Sequence, residues 1–291
     1  MPMPHGLMPD SLLKAGGPLA PVAKEYLSKH EEDVRKSHLS GATGRDVCRI
    51  YTSVVDGLLK ALFARYSVRL GPSDRAALVA LGGYGRGELN IRSDIDLMLV
   101  HKGRLTKPVE ELTQEMLYVL WDTGLDLGFA IRSVPECIAL AKDDLKTMTA
   151  LLDLRFLTGD GDLFESLRKS VRKNLFNRAR SASFINEKLE ETRQRHARFG
   201  GSVYILEPNV KEGEGGLRDL HTAVWALKAR HAREVEPFSL GLLSERDRKA
   251  ARGLARFRPL GQERAPFPTE EDRPARSTTQ ERIAKLLGFE H

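Results

Sequence analysis

Residues 81–97 read LGGYGRGELNIRSDIDL, and their reading decides the fold. The glycine pair Gly82-Gly83 closes an apolar run that begins at Ala76, and Asp94-Ile95-Asp96 opens another, Leu97 to Val100. Two strands joined by a glycine-rich loop is the simplest arrangement. On an extended strand Asp94 and Asp96 project to one face while Ile95, Leu97 and Leu99 project to the other. Two carboxylates so placed repel each other unless a cation lies between them. A hard divalent ion, above all Mg²⁺, suits an oxygen-only pair completed by substrate phosphates. The glycines then acquire a purpose, because backbone without Cβ atoms at Gly82, Gly83 and Gly85 lets N–H groups approach a triphosphate.

A polar strand end is the plain alternative for an isolated Asp-x-Asp. Here an apolar strand, Gly-Gly, the ten residues Tyr84 to Ser93, and Asp-Ile-Asp inside a second strand occur together. That combination resembles the nucleotidyltransferase signature of the DNA polymerase β superfamily. The resemblance implies an α+β fold, a small mixed sheet with flanking helices. It makes Asp94 and Asp96 the metal-holding catalytic carboxylates. Gly82, Gly83, Ser93 and Arg86 become candidate phosphate contacts, the last as a bidentate donor.

The rest of the chain sets limits. Its 291 residues suffice for one large or two modest domains, and 41% hydrophobic with 30% charged residues is a globular composition. A formal charge of +6 favours polyanionic ligands without naming them. Cys48 and Cys137 are far apart and form no Cys-x-x-Cys, so neither a disulfide framework nor a thiolate zinc site is indicated, and a reduced cytoplasmic setting fits. No signal-peptide pattern or membrane-length apolar run is present, so no membrane partner is expected.

In chain order, residues 1–18 read as a loose leader broken by Pro2, Pro4, Pro9 and Gly16-Gly17. Helices are predicted over Pro21–His38 and Gly44–Tyr66, the second with a stripe of Val47, Ile50, Tyr51, Val54, Leu58, Leu59 and Leu62. A strand over Ala76–Leu81 follows the turn Gly71-Pro72-Ser73-Asp74. Pro108 to Asp122 reads as a crossover helix stopped at Gly124. Leu125 to Arg132 alternates as a third strand carrying Asp126. Superfamily sites commonly draw a third acid from a later strand, so Asp126 is a candidate catalytic carboxylate; an exposed strand-end acid is the competing reading. Asp143 to Leu157 reads as helical, with Asp153 and Arg155 embedded in it, either as a local ion pair or as a nucleotide contact. Leu163–Phe176 and Ile185–Phe199 continue as basic amphipathic helices. The run Arg193–Gly201 is a possible phosphate contact or simply a solvated face.

The second informative stretch is YILEPNVKEGEGGLRDLH, Tyr204 to His221, a glycine-rich acidic loop followed by helical periodicity over Leu217–Ala229. With LWDTGLDLGFAIRSVPECI and TALLDLRFLTGD between them, the two stretches together resemble the bacterial PII uridylyltransferase/uridylyl-removing enzymes, from about residue 25 to 257. The resemblance implies UMP transfer from UTP to a tyrosine of the PII protein, with Mg²⁺ or Mn²⁺ and release of pyrophosphate, and no nucleic acid. It divides the chain into a nucleotidyltransferase domain over residues 19–140, a helical domain over 141–257 and a degenerate or truncated segment over 258–291. Gly128-Phe129-Ala130 stands where family members often carry Gly-His-Ser, and Ile91 where proline is frequent. The family's uridylyl-removing and glutamine-sensing domains are expected to be absent, which leaves an inactive nucleotide- or PII-binding module, or transfer to another acceptor, as alternatives. Arg256 to Thr279 carries four prolines and no apolar periodicity, yet residues 280–289 look like the family again. A local reading-frame disturbance is the hypothesis, and the coding DNA tests it.

Overall fold

A computed structural model describes Leu12, residues 16–198, Asn209 and residues 211–231. The chain divides into two compact units between Val171 and Arg172.

In the first unit, α1 (Leu19–Leu39) and α2 (Gly44–Ser67) precede β1 (Ala76–Ala80), a single helical turn α3 (Gly82–Gly85) and β2 (Ile95–His101). Then come α4 (Lys107–Asp122), β3 (Leu127–Ser133), α5 (Val134–Asp143), α6 (Leu145–Ala150), a 3₁₀ turn (Leu151–Asp153) and β4 (Arg155–Gly159). The four strands form one sheet in the order β3-β2-β1-β4. β1 is antiparallel to both β2 and β4, whereas β2 and β3 are parallel and are joined by α4, the crossover that a parallel pair requires. This is the expected mixed sheet with flanking helices.

Local chemistry fixes the helix starts. Thr43 and Asp46 close a capping box on α2, and Ser133 and Glu136 close another on α5, with Pro135 in the first turn. The predicted α2 stripe lies inward: Val47, Tyr51, Val54, Leu58, Leu59 and Leu62 are buried with Leu27 and Val34 of α1 and Val109, Leu112 and Met116 of α4. Against them lie Leu78 of β1 and Ile95, Leu97 and Leu99 of β2. Each buried leucine contributes roughly 1.5–3 kcal/mol, so this helical face is what holds the sheet. The opposite face receives the other parity of β2, where the Cys137 sulfur of α5 lies 3.5 Å from that of Met98.

One predicted element is overturned. Asp143 to Leu157 is not a single helix: after the 3₁₀ turn the chain straightens into β4, whose Arg155 and Phe156 pair with Ala80 and Val79 of β1. The open edge of β1 offers unpaired backbone groups, and pairing there outweighs the helical periodicity of the preceding residues. Smaller differences follow the backbone. The glycine-rich loop contains the turn α3, β1 ends at Ala80, and β3 starts at Leu127, so that Asp126 precedes the strand rather than lying on it. The helix α5 has no counterpart in the sequence reading.

α7 (Gly161–Leu175) contains the division between the units, and the second unit holds α8 (Arg178–Arg198) and α9 (Leu217–His231). Residues 258–291 lie outside the described residues, as do most of residues 199–210. Among the described residues no helix is long and apolar enough to cross a membrane.

Candidate active site

Asp96 is the only residue of β2 that is not buried. Alternation puts it on the face of Met98 and Val100, away from the helical core, with Asp94 exposed one residue before the strand. The register pairs Asp96 with Gly128 of β3. A Cβ added to Gly128 would come 2.7 Å from Asp96 Oδ1, and one added to Gly82 would come 2.6 Å from Asp96 Oδ2. Gly82 also has φ +54, a left-handed conformation that favours glycine. Burial, and then the neighbouring charge of Asp94, push the Asp96 carboxyl above the usual range, with Arg86 pulling weakly the other way. A pair of hard oxygen donors in which one carboxylate is partly desolvated and crowded by the other suits a divalent cation, so Asp94 and Asp96 fit Mg²⁺ or Mn²⁺.

The glycine turn is anchored from three sides. Leu81 N–H donates to the Asp96 carbonyl at 3.0 Å, tying the start of the turn to β2. Gly85 sits so close to the 3₁₀ turn that a Cβ there would come 1.9 Å from the Asp153 carbonyl oxygen. The Tyr84 ring is buried, and its hydroxyl donates to Asp56 Oδ1 of α2 at 2.6 Å. Burial and then the Asp56 charge raise the Tyr84 phenol well above its ordinary value, so it stays a donor. Arg155 of β4 donates to both Asp56 oxygens, at 2.6 and 3.0 Å, and to the Tyr84 carbonyl at 3.1 Å.

These contacts correct one expectation and place the others. Asp153 and Arg155 do not pair with each other. Asp153 accepts from Arg86 Nη1 at 2.5 Å, while Arg155 serves Asp56 and Tyr84. Their closeness in sequence is undone by the bend from the 3₁₀ turn into β4, which sends the two side chains to different neighbours. Arg86 also donates to Glu88 at 2.8 Å. Gly83 meets no crowding, since an added Cβ would have only Arg86 Nη2 near it, at 3.8 Å. Ser93 is exposed in a turn, its N–H donating to the Asn90 carbonyl at 3.0 Å. Asp126 is exposed, and its carbonyl accepts from Ile95 N–H at 2.8 Å, which brings it to the same end of the sheet as Asp94. Among the described residues no three His, Cys, Asp or Glu side chains gather as a metal-holding group.

Gly128 and Asp56 are absent from the sequence-predicted set, and Arg155 enters it only as a partner of Asp153 or a nucleotide contact. Gly128 had a readable signal, a glycine in an alternating strand, which often marks a close approach. Asp56 and Arg155 are 99 residues apart and had none.

The second unit contains its own polar knot. Asp219 of α9 accepts from Arg195, from His196 Nε2 at 3.0 Å, and from Gly215 N–H at 2.8 Å. Arg195 also donates to the Glu212 carbonyl at 2.6 Å, and Arg218 to the Glu212 carboxylate at 3.0 Å. The basic run that was a candidate phosphate contact is thereby fastened, at Arg195 and His196, to the acidic glycine-rich loop; residues 199–201 lie outside the described residues. Buried Lys188 lies 4.8 Å over the Trp225 ring. Since Asp219 gathers a guanidinium, an imidazole and a backbone donor in a half-buried setting, Asp219→Ala is expected to destabilise the chain by about 3 kcal/mol. Urea unfolding followed by tryptophan fluorescence measures this, and a loss below about 0.5 kcal/mol would show that the knot contributes nothing.

Comparison with known proteins agrees with the family resemblance. A family profile described as GlnD PII-uridylyltransferase matches residues 183–265. The chain is 38% identical over 279 residues, 92% of its length, to the bifunctional uridylyltransferase/uridylyl-removing enzyme of Caulobacter vibrioides, of which this is 29%. With the enzyme of the same name from Erythrobacter litoralis it shares 37% identity over 80% of the chain and 26% of that protein. The Phenylobacterium zucineum enzyme is 42% identical over 67% of the chain and 21% of its own length. The chain thus spans less than a third of each of these relatives.

Proposed function

We propose, from the kinship of this chain with a portion of the bifunctional uridylyltransferase/uridylyl-removing enzymes, that it transfers UMP from UTP to a tyrosine hydroxyl of a PII-type signalling protein. The observation that carries the proposal is the Asp94/Asp96 pair set against the glycine turn Gly82–Gly85. In the transfer the tyrosine oxygen attacks the α-phosphorus, the bond to the bridging oxygen breaks, and pyrophosphate leaves with the negative charge.

Asp94 and Asp96 would hold the Mg²⁺ or Mn²⁺, which when bound supplies charge neutralisation to the triphosphate. The first-turn N–H groups at Gly82 and Gly83, which have no partner within so short a helix, would donate to phosphate oxygens together with the Ser93 hydroxyl. Arg86 would act from within its ion pairs with Glu88 and Asp153, which hold the guanidinium in one orientation. Asp126 is the candidate for the third carboxylate or for the base that takes the tyrosine proton.

Incorporation of labelled UMP into purified PII tests the reading, run with and without divalent metal and beside ATP and alternative acceptors. Metal-dependent labelling of PII by UTP supports it. Labelling of another acceptor, or nucleotide binding without turnover, replaces it with an altered-acceptor enzyme or a binding module.

Gly83 allows a clean probe of the glycine turn, because the space beside it is open to protein atoms. Gly83→Val is expected to fold normally and to lose UTP binding, its branched side chain occupying the place where phosphate meets backbone. Calorimetric titration reads this directly, and unchanged UTP affinity would reduce the segment to a structural turn.

A further inference from the structure

We propose that Gly128 is a positioning residue for Asp96: with Gly82 it leaves a slot one carboxylate thick, giving the Asp96 side chain a single seat from which to hold a divalent cation. The proposal rests on the metal-dependent reading above and deepens it. The two glycines make room for different oxygens of the same group, Gly128 for Oδ1 and Gly82 for Oδ2, and both added-Cβ distances fall below the 3.0 Å that real Cβ atoms respect. The carboxylate thus occupies space on both sides that any other residue at these positions would fill.

Strand stability alone does not explain a glycine here. β3 lies at the edge of the sheet, and glycine in a strand interior costs roughly 0.5–1 kcal/mol relative to alanine. The cost is offset by a function if the missing Cβ makes room for a group that must not move. The register supports this, since residues opposite each other in a parallel ladder share a face, and Gly128 is the partner of Asp96 itself. What a Cβ would strike is the end of a short side chain, not backbone. Alanine at 128 is therefore accommodated by turning the carboxylate out of its seat, so the fold survives and the ligand is displaced.

The test uses the full chain as Gly128→Ala, Asp96→Ala and the double variant, with Mn²⁺ binding followed by electron paramagnetic resonance and thermal melting recorded without metal. Gly128→Ala is expected to melt cooperatively and to bind Mn²⁺ about tenfold more weakly, the usual penalty for losing a group that orients a metal ligand. Any melting loss it causes should disappear once Asp96 is alanine, leaving the small gain that alanine brings to a strand, because the loss comes from one contact shared by the two residues. Wild-type Mn²⁺ affinity in Gly128→Ala, or the same melting change with and without Asp96, overturns the proposal alone. Absence of Asp96-dependent Mn²⁺ binding in the wild-type chain removes the metal reading and the proposal with it. Should Gly128→Ala fail to fold, the double variant decides: recovery of folding supports the slot, and continued failure overturns it.

Discussion

Asp96→Asn is expected to lower UMP transfer on the order of 10³-fold while leaving the fold intact. Removing one preorganised charge-stabilising group from a transfer site typically costs that much, and under the proposed function Asp96 would also be one of the carboxylates that hold the cation. Asp94→Asn should behave alike. The same substitution has a second readout with the opposite sign. The folded chain holds the Asp96 proton more tightly than the unfolded chain does, through burial and the Asp94 charge. Stability is therefore lost as pH rises from the unfolded carboxylate range through the raised folded value, and the deficit is fully present above that value. Without metal, Asp96→Asn should melt higher than wild type near pH 7, and the difference should close below the unfolded carboxylate pKa. Near wild-type transfer at saturating Mg²⁺ would falsify the assignment of the pair, and a melting temperature that falls at pH 7 would contradict the electrostatics.

Gly85→Ala should damage the fold instead. The added Cβ would lie 1.9 Å from the Asp153 carbonyl oxygen and 3.0 Å from that of Ala80, and both are backbone that cannot rotate away. Separating the glycine turn from the 3₁₀ turn is the only relief, and it breaks the Arg86–Asp153 contact as well. The expected loss is about 3 kcal/mol or more. Chemical denaturation is the measurement, and stability within about 0.5 kcal/mol of wild type would mean that the two turns are not seated against each other. The three glycines of the turn thus act differently: Gly82 yields to a side chain, Gly83 keeps open space, and Gly85 touches main chain.

Much of this was readable before any coordinates. The α2 stripe, the crossover helix and the strand parity of Asp96 are periodic signals, and periodicity is what burial writes into sequence; Asp94 lies one residue ahead of the strand. β4 escaped because Arg155 to Gly159 is short and adjoins a helical pattern; its identity comes from the vacant edge of β1, a tertiary cause. The partners of Asp153 and Arg155 escaped for a related reason. An ion pair leaves no periodic trace when its members are 67 or 99 residues apart, as Arg86–Asp153 and Asp56–Arg155 are. Gly128 enters the sequence reading only as the glycine ahead of the divergent Phe129-Ala130, since the steric role of a glycine shows once its cross-strand neighbour is known.

Those long separations set an order of events in time. During synthesis the helices α1 and α2 and the β1–β2 pair can form from chain already made, because their contacts close short loops. The glycine turn cannot be fastened until β4 has emerged, since two of the residues that grip it, Asp153 and Arg155, come last in the sheet-forming sequence. Closing such loops costs entropy that is recovered only when the final strand docks on β1. A nascent chain halted before residue 155 would therefore carry both aspartates and all three glycines and still lack the contacts that fasten the glycine turn, so that this part of the molecule is completed late in translation.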